Sequence, residues 1–328
     1  MKLVSIVTPC FNEEDNIEEL HRRIVAVMTK LPYEYEHICI DNCSTDATVA
    51  KLREIAKSDP RLKVIVNARN FGHIRSPYHG LLQGAGDAVI IIASDLQDPP
   101  ELITELLAEW EKGFKTVLLV KPQSEESRVM FAIRRLYYGI IARISDVPLV
   151  PNATGAGLYD RQIVDVLRQL RDPYPYVRGL VAEIGFPIAT VPFRQPRRRR
   201  GISKNNFYTL YDIAMLGVTS HSKVPLRLMT MFGFLFSVLS FFVAMGFLVA
   251  KLLFWDYFQL GLAPMLIGLF FFMAVQMFFI GLLGEYIGAV LTHVRGVPHV
   301  FEAERINFED RSAAETAASA EARDGVKH

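Results

Sequence analysis

The chain has 328 residues, 51% of them hydrophobic, with 36 Lys and Arg against 35 Asp and Glu and a net charge of +1. That balance excludes a protein working through a basic nucleic-acid surface, and the apolar content excludes a disordered chain. Three cysteines, an odd number, exclude a disulfide-built scaffold, and His37, Cys39 and Cys43 lack the spacing of a zinc ribbon or finger.

Lys2–Pro9 alternates toward an apolar strand, and Asn12-Glu13-Glu14-Asp15-Asn16 is expected to cap a helix running through Leu20, Ile24 and Met28. Glu36–Ile40 reads as a second strand, followed by a helix through Leu52 and Ile55. Leu62–Val66 reads as a third, Ile74–Gly84 as a helix, and Ala88–Ile92 as a buried strand. Strands alternating with helices at this pace predict a parallel, right-handed βαβ sheet. No Gly-x-Gly-x-x-Gly follows any of these strands, which argues against a dinucleotide oxidoreductase.

Each strand is followed by acidic or amide side chains: Asn12 and Glu13, Asp41 and Asn42, Asn67 and Asn70, Asp95 and Gln97. Open α/β sheets bind ligands beyond such strand ends. Groups of this kind suit the ribose and base of a nucleotide. Asp95 suits a hard divalent cation whose other positions are filled by water and phosphate oxygens. Taken singly, each is equally at home as a helix cap or turn former.

Further along, Ser127–Ile144 interleaves Met130, Phe131, Tyr137, Tyr138 and Ile141 with Arg134, Arg135 and Arg143. This suits a helix in the headgroup layer or a core helix with a basic edge. Arg197-Arg198-Arg199-Arg200 reads as a topology signal or lipid-surface patch. In a second reading, Arg198, Arg200, Ser203 and Lys204 grip a phosphate. Asn206–Val218 carries an apolar stripe expected of another interfacial helix.

Leu228–Ala250 and Leu260–Gly284 contain no Asp, Glu, Lys or Arg. The first is roughly 35 Å long as a helix, against a hydrocarbon core of about 30 Å. Basic residues flank both segments on their outer sides, so both ends are expected in the cytosol with a short hairpin loop outside. Glu285 ends the second span and is expected to pair with Arg227 or Arg295. Gly281, Gly284 and Gly288 permit close helix packing and hence a homo-oligomer. The tail from about Glu309 has no large apolar residue before Val326 and reads as disordered or frayed.

The runs Pro9-Cys10-Phe11-Asn12-Glu13-Glu14, Asp41-Asn42-Cys43-Ser44-Thr45-Asp46, Arg69-Asn70-Phe71-Gly72 and Asp95-Leu96-Gln97-Asp98-Pro99-Pro100-Glu101 resemble, in order, the signatures of family 2 glycosyltransferases. More narrowly they resemble the polyprenyl-phosphate group, which includes dolichol-phosphate mannose synthase and bacterial undecaprenyl-phosphate glucosyltransferases. Arg198–Lys204, Pro225-Leu226-Arg227 and Gly281–Gly288 extend the resemblance across residues 2–300.

The resemblance implies an α/β, GT-A-type, parallel-rich sheet domain (1–205), an interfacial helix (206–227), a two-helix transmembrane hairpin (228–291) and a cytosolic tail (292–328). The whole would sit in the inner membrane with both termini in the cytosol. It further implies a nucleotide-sugar pocket from Pro9, Phe11, Asn12, Glu13, Asp41, Asn42, Asn70, Ser94, Arg134 and Arg135. Asp95 would be catalytic, and with Gln97 would ligate Mg2+ or Mn2+. The reaction expected is inverting transfer of a hexose from a UDP-sugar, UDP-glucose first, to undecaprenyl phosphate, with transfer of another UDP- or GDP-linked sugar as the alternative.

Three departures stand out. Ala93 occupies a position where relatives carry a second Asp, Asn42 one where many carry Asp, and Thr154–Asp160 lacks an aligned catalytic acid, with Asp160 and Asp146 the nearest. A lipid phosphate monoester has a second pKa near 6 and is mostly a dianion in the cytosol, so it needs no base. A processive polysaccharide synthase would bring more spans and a Gln-x-x-Arg-Trp motif, which are missing here. A non-catalytic lipid-sugar carrier draws some weight from Ala93.

Overall fold

A computed structural model describes residues 1–121, 150–170, 172, 175–194, 224–253, 262–296 and 298–308. They fall into two compact units. The first is built on an eight-stranded mixed sheet. Its strands are β1 (Leu3–Cys10), β2 (Glu34–Asp41), β3 (Leu62–Asn67), β4 (Ala88–Ile91), β5 (Thr116–Val120), β6 (Ala153–Asp160), β7 (Ile188–Pro192) and β8 (Glu302–Ile306). Their order in space is β7-β5-β6-β4-β1-β2-β3-β8.

The expected parallel sheet corresponds to β4-β1-β2-β3, where β1 pairs in parallel with both β2 and β4, and β2 with β3. β6 and β8 run against the others, so the sheet is mixed rather than wholly parallel. The first of these makes room beside β4 for a β6–β5–β7 extension. The other is a correction to the expected tail: Glu302–Ile306 is an edge strand of this same sheet, so that domain does not end near residue 205.

Helices cover both faces, as parallel strands require. On one lie α1 (Ile17–Met28), α2 (Thr48–Ser58) and α4 (Ile103–Glu111). On the other lie α3 (Gly72–Gln83), α5 (Arg161–Leu170) and α6 (Val177–Ile184). The period of two along a strand distributes the core: Ile6, Cys39, Val64 and Ile90 pack on the first face with Leu20, Ile24, Leu52 and Leu106. Val7, Ile38, Ile40, Ile65 and Val89 pack on the second with Tyr78, Leu81 and Val164. Each such fully buried aliphatic contributes about 1.5–3 kcal/mol.

α1 begins at Ile17 without the expected side-chain cap. Its N-cap residue Asn16 turns its amide to Glu13 Oε2 at 2.7 Å, and Glu18 and Glu19 meet the positive helix end instead.

Beneath α1 lies a buried polar chain. His21 and His37 stack with parallel rings and share a 2.9 Å Nδ1···Nδ1 hydrogen bond. His37 Nε2 lies 3.0 Å from Thr8 Oγ1 and 3.4 Å from Cys39 Sγ, while His21 Nε2 reaches Asp59 at 3.4 Å. His37 and Cys39 thus spend their polar atoms under α1, whereas Cys43 sits beyond the strand end with φ +64°. The three do not form a zinc site.

Burial, then the neighbouring His37, lowers the His21 pKa to about 4. The unfolded chain takes up a proton near pH 6.5 that the folded one refuses until about pH 4. Stability is therefore complete above pH 6.5 and lost as pH falls toward 4, by roughly 3 kcal/mol. Urea unfolding at pH 7 and pH 4.5 should show this loss in the wild type and a smaller one in His21→Leu.

The second unit described is a pair of long helices, α7 (Val224–Leu253) and α8 (Leu262–Arg295). Leu226–Val243 and Phe271–Gly288 have mean hydropathies of 1.9 and 1.6, and both helices are long and apolar enough to cross a membrane. Large side chains such as Phe234 (72% exposed) and Phe278 (69%) point outward. Phe236 and Phe272 meet edge to face at 6.5 Å.

Candidate active site

Because β1 to β4 are mutually parallel, the segments after them gather on one edge of the sheet. The first two loops are tied by cross-bonds. The Asn12 N–H donates to Ser44 Oγ (2.8 Å), Asn12 Oδ1 accepts from the Thr45 N–H (2.8 Å), and the Glu13 N–H donates to Thr48 Oγ1 (2.9 Å). Asn12 reaches this arrangement with φ +57°, a conformation Asn tolerates better than most residues. Pro9, Phe11, Asn12 and Glu13 are all partly exposed along this rim.

Three residues expected to line the pocket are buried. Asp41 is fully buried, and its carboxylate accepts the Ser44 N–H at 2.9 Å and the Ser44 hydroxyl at 2.5 Å. Burial pushes its pKa up and these bonds pull it back. Asn42 Nδ2 donates to Asn70 Oδ1 (2.9 Å) and Gly72 O (3.2 Å), and its Oδ1 accepts from the Phe71 N–H (2.8 Å) and Asn67 Nδ2 (3.3 Å). An amide has two donors and two lone pairs, so Asn42 is saturated. Ser94 is buried as well. These residues shape the rim from within, while the exposed Asn70 stands on it.

After β4 the chain turns through Leu96 at φ +58°. Asp95 Oδ1 accepts the Gln97 N–H at 3.1 Å, and both side chains are partly exposed. Asp98, by contrast, is 5% exposed. Burial and then the neighbouring Asp95 push its carboxyl up to about 6, against the pull of Lys121 and the Ala93 N–H. Lys121 directly follows β5, whose carboxyl end lies at the same sheet edge as that of β4. Asp98 lay inside a motif read for its neighbours, and Lys121 had no sequence signal.

The partly exposed Asp95 carboxylate and the Gln97 amide are hard oxygen donors of the kind Mg2+ or Mn2+ prefers, and the negative charge that Asp95 and the buried Asp98 bring to one turn is what a cation would offset. Among the described residues no three His, Cys, Asp or Glu side chains converge on one point. The donor set therefore fits an ion held largely by substrate oxygens, as magnesium commonly is.

Residues 5–167 match the family model described as glycosyl transferase family 2. Over 90% of its length the chain is 34% identical to an uncharacterized glycosyltransferase of Synechocystis sp., covering 93% of that relative. This chain belongs to glycosyltransferase family 2. The SfII prophage-derived bactoprenol glucosyl transferase of Shigella flexneri is 32% identical over 90% of this glycosyltransferase and 96% of the relative. Among solved structures, glucosyl-3-phosphoglycerate synthase of Mycobacterium tuberculosis, in complex with Mn2+, UDP and phosphoglyceric acid, aligns over 66% of this chain and 76% of that one. Its TM-score is 0.45 at 20% identity.

In this family 2 glycosyltransferase Asp160 is not a base at the site. It pairs with Ala88 at the opposite end of β4, because β6 runs antiparallel. There it accepts hydrogen bonds from Trp110 Nε1 (2.7 Å), Lys115 Nζ (3.2 Å) and the Gln162 N–H (3.0 Å). The part of β6 nearest the site is Ala153–Gly157. Beside it stands Arg178 of α6, whose guanidinium donates to Ala153 O at 2.7 Å.

Arg134, Arg135, Asp146, Arg198, Arg200, Ser203 and Lys204 lie outside the described residues, as do the stretches 127–144 and 206–218 and the tail from 309.

Proposed function

We propose that this glycosyltransferase moves a hexose from a UDP-sugar, UDP-glucose first, to a polyprenyl phosphate at the cytosolic membrane face, inverting the anomeric centre. The observation that carries the reading is the strand-end edge, where Asp95 and Gln97 share a rim with Phe11, Asn12, Glu13 and Asn70. The bactoprenol glucosyl transferase name of a relative aligned over nearly its whole length favours a polyprenyl acceptor. The two long apolar helices favour a membrane-held enzyme whose acceptor is a lipid.

In this reading the rim side chains orient the nucleotide, and Asp95 with Gln97 holds Mg2+ or Mn2+. When bound, the ion supplies positive charge to the departing diphosphate. Arg134 and Arg135 contact the donor, while Arg198, Arg200, Ser203 and Lys204 hold the acceptor phosphate. That phosphate, mostly a dianion at neutral pH, attacks without a base, in keeping with the location of Asp160 at the far end of the sheet. The main contribution of the protein is then positioning and charge stabilisation. In the same reading both termini lie in the cytosol, which the basic flanks of the helices support, and Gly281, Gly284 and Gly288 would be the packing face of a homo-oligomer.

The test is a screen of radiolabelled UDP- and GDP-sugars against undecaprenyl phosphate, with and without EDTA. Labelled lipid from UDP-glucose, lost with EDTA and restored by Mg2+ or Mn2+, is the expected result. No labelled lipid from any donor would overturn the proposal.

A further inference from the structure

The third loop of the rim, Asn67–Gly72, is gripped from two sides. From within, the saturated Asn42 amide holds Asn70, Phe71 and Gly72 as described, and Asn67 Nδ2 also reaches Ser76 Oγ of α3 at 3.0 Å. From outside, the segment that follows α8 closes over the same loop. Phe301 O accepts the Ala68 N–H at 2.8 Å, and the Phe301 and Phe71 rings lie 6.2 Å apart. The Arg69 guanidinium covers Phe71 at 4.1 Å, and Arg75 donates to Pro298 O. The pairing of β8 with β3 shifts register between Val66 and Asn67. Such a bulge re-aims the side chain beside it, and here that residue is Asn67, a partner of Asn42.

We infer that Asn42 and Phe301 are positioning residues for the nucleotide-sugar donor, acting through the loop that carries Asn70. The inference rests on the donor reading given above and adds a dependence on a segment encoded after both long helices, just before β8. Asn42 has no hydrogen-bonding capacity left for a ligand, so its effect on binding passes through Asn70 and the Phe71 backbone. A leucine there, close to Asn in size, would leave Asn70 Oδ1 and Gly72 O without a donor and the Phe71 N–H without an acceptor, and so loosen the loop. Removing the Phe301 ring frees the loop on its outer side, and the donor must then order it on binding.

The test uses full-length protein in detergent, with UDP and GDP affinity measured by titration calorimetry beside steady-state kinetics. Asn42→Leu and Phe301→Ala are each expected to weaken nucleotide binding by about fivefold to tenfold. Donor KM should rise by the same factor with kcat within about twofold, the pattern of lost uniform binding. Phe301→Tyr, which keeps the ring, should bind like wild type. If Asn42→Leu does not fold, the Phe301 pair decides. Unchanged nucleotide affinity in Phe301→Ala, or a loss of kcat alone, overturns the inference. Wild-type protein that binds neither nucleotide overturns the donor reading itself, and does so before any variant is made.

Discussion

Asp95→Ala protein is expected to transfer sugar about 10²–10³-fold more slowly than wild type, the scale for removing one group that stabilises charge in a transition state. Asp95 is the partly exposed carboxylate just after β4, while the nearby Asp98 is buried, its pKa raised to about 6 by burial and by Asp95. Ala93, two residues before Asp95, has no carboxylate to take its place. A binding scaffold would be indifferent to the change, and a cation-assisted enzyme would not. Turnover of UDP-glucose with undecaprenyl phosphate, at saturating Mg2+, separates the two. Wild-type turnover in the purified variant would remove Asp95 from the mechanism.

The largest expected effect on stability is Gly157→Ala. Gly157 lies on β6, opposite Ile91 on one side and Leu118 on the other, and a Cβ there would stand 2.3 Å from Val117 O, a backbone atom that cannot rotate away. Its φ of +158° adds strain for any side chain. The strand junction must part to admit the methyl group, at about 3 kcal/mol or more. Gly113→Ala is the comparison: φ is +100° but no atom lies within 4 Å of the new methyl, so only the backbone penalty of about 1–2 kcal/mol applies. Thermal unfolding should show Gly157→Ala well below Gly113→Ala, and equal midpoints would refute the steric account.

How far the fold was legible depended on burial. β1 to β4 announce themselves as apolar runs because both faces of each are covered, and the motifs after them mark the functional edge. β8 gives no such signal. Glu302-Ala303-Glu304-Arg305-Ile306 is an edge strand with charged side chains, held by ion pairs of Glu302 with His79 and Arg305 and of Glu304 with Arg53, of which those to His79 and Arg53 join distant parts of the chain.

β6 contains Gly155 and Gly157, and its antiparallel direction moves Asp160 to the wrong end of the sheet for catalysis. Within the motifs, Asp41, Asn42 and Ser94 are polar residues at strand ends like Asn12 and Asp95. Whether such a side chain faces a ligand or its own turn depends on partners such as Ser44 and Asn70, which only the folded loops bring near.

The carboxy-terminal strand also protects the molecule from itself. An uncapped β3 would expose a row of backbone amides and carbonyls from Val64 to Asn67, where any passing extended segment can add on. By laying Glu302 to Ile306 along that margin, with Glu302 tied to His79 and Glu304 to Arg53, the chain presents a short, charged edge strand in place of an open template. A version shortened just after α8 would keep every motif residue after β1 to β4 and still tend to clump with its own copies.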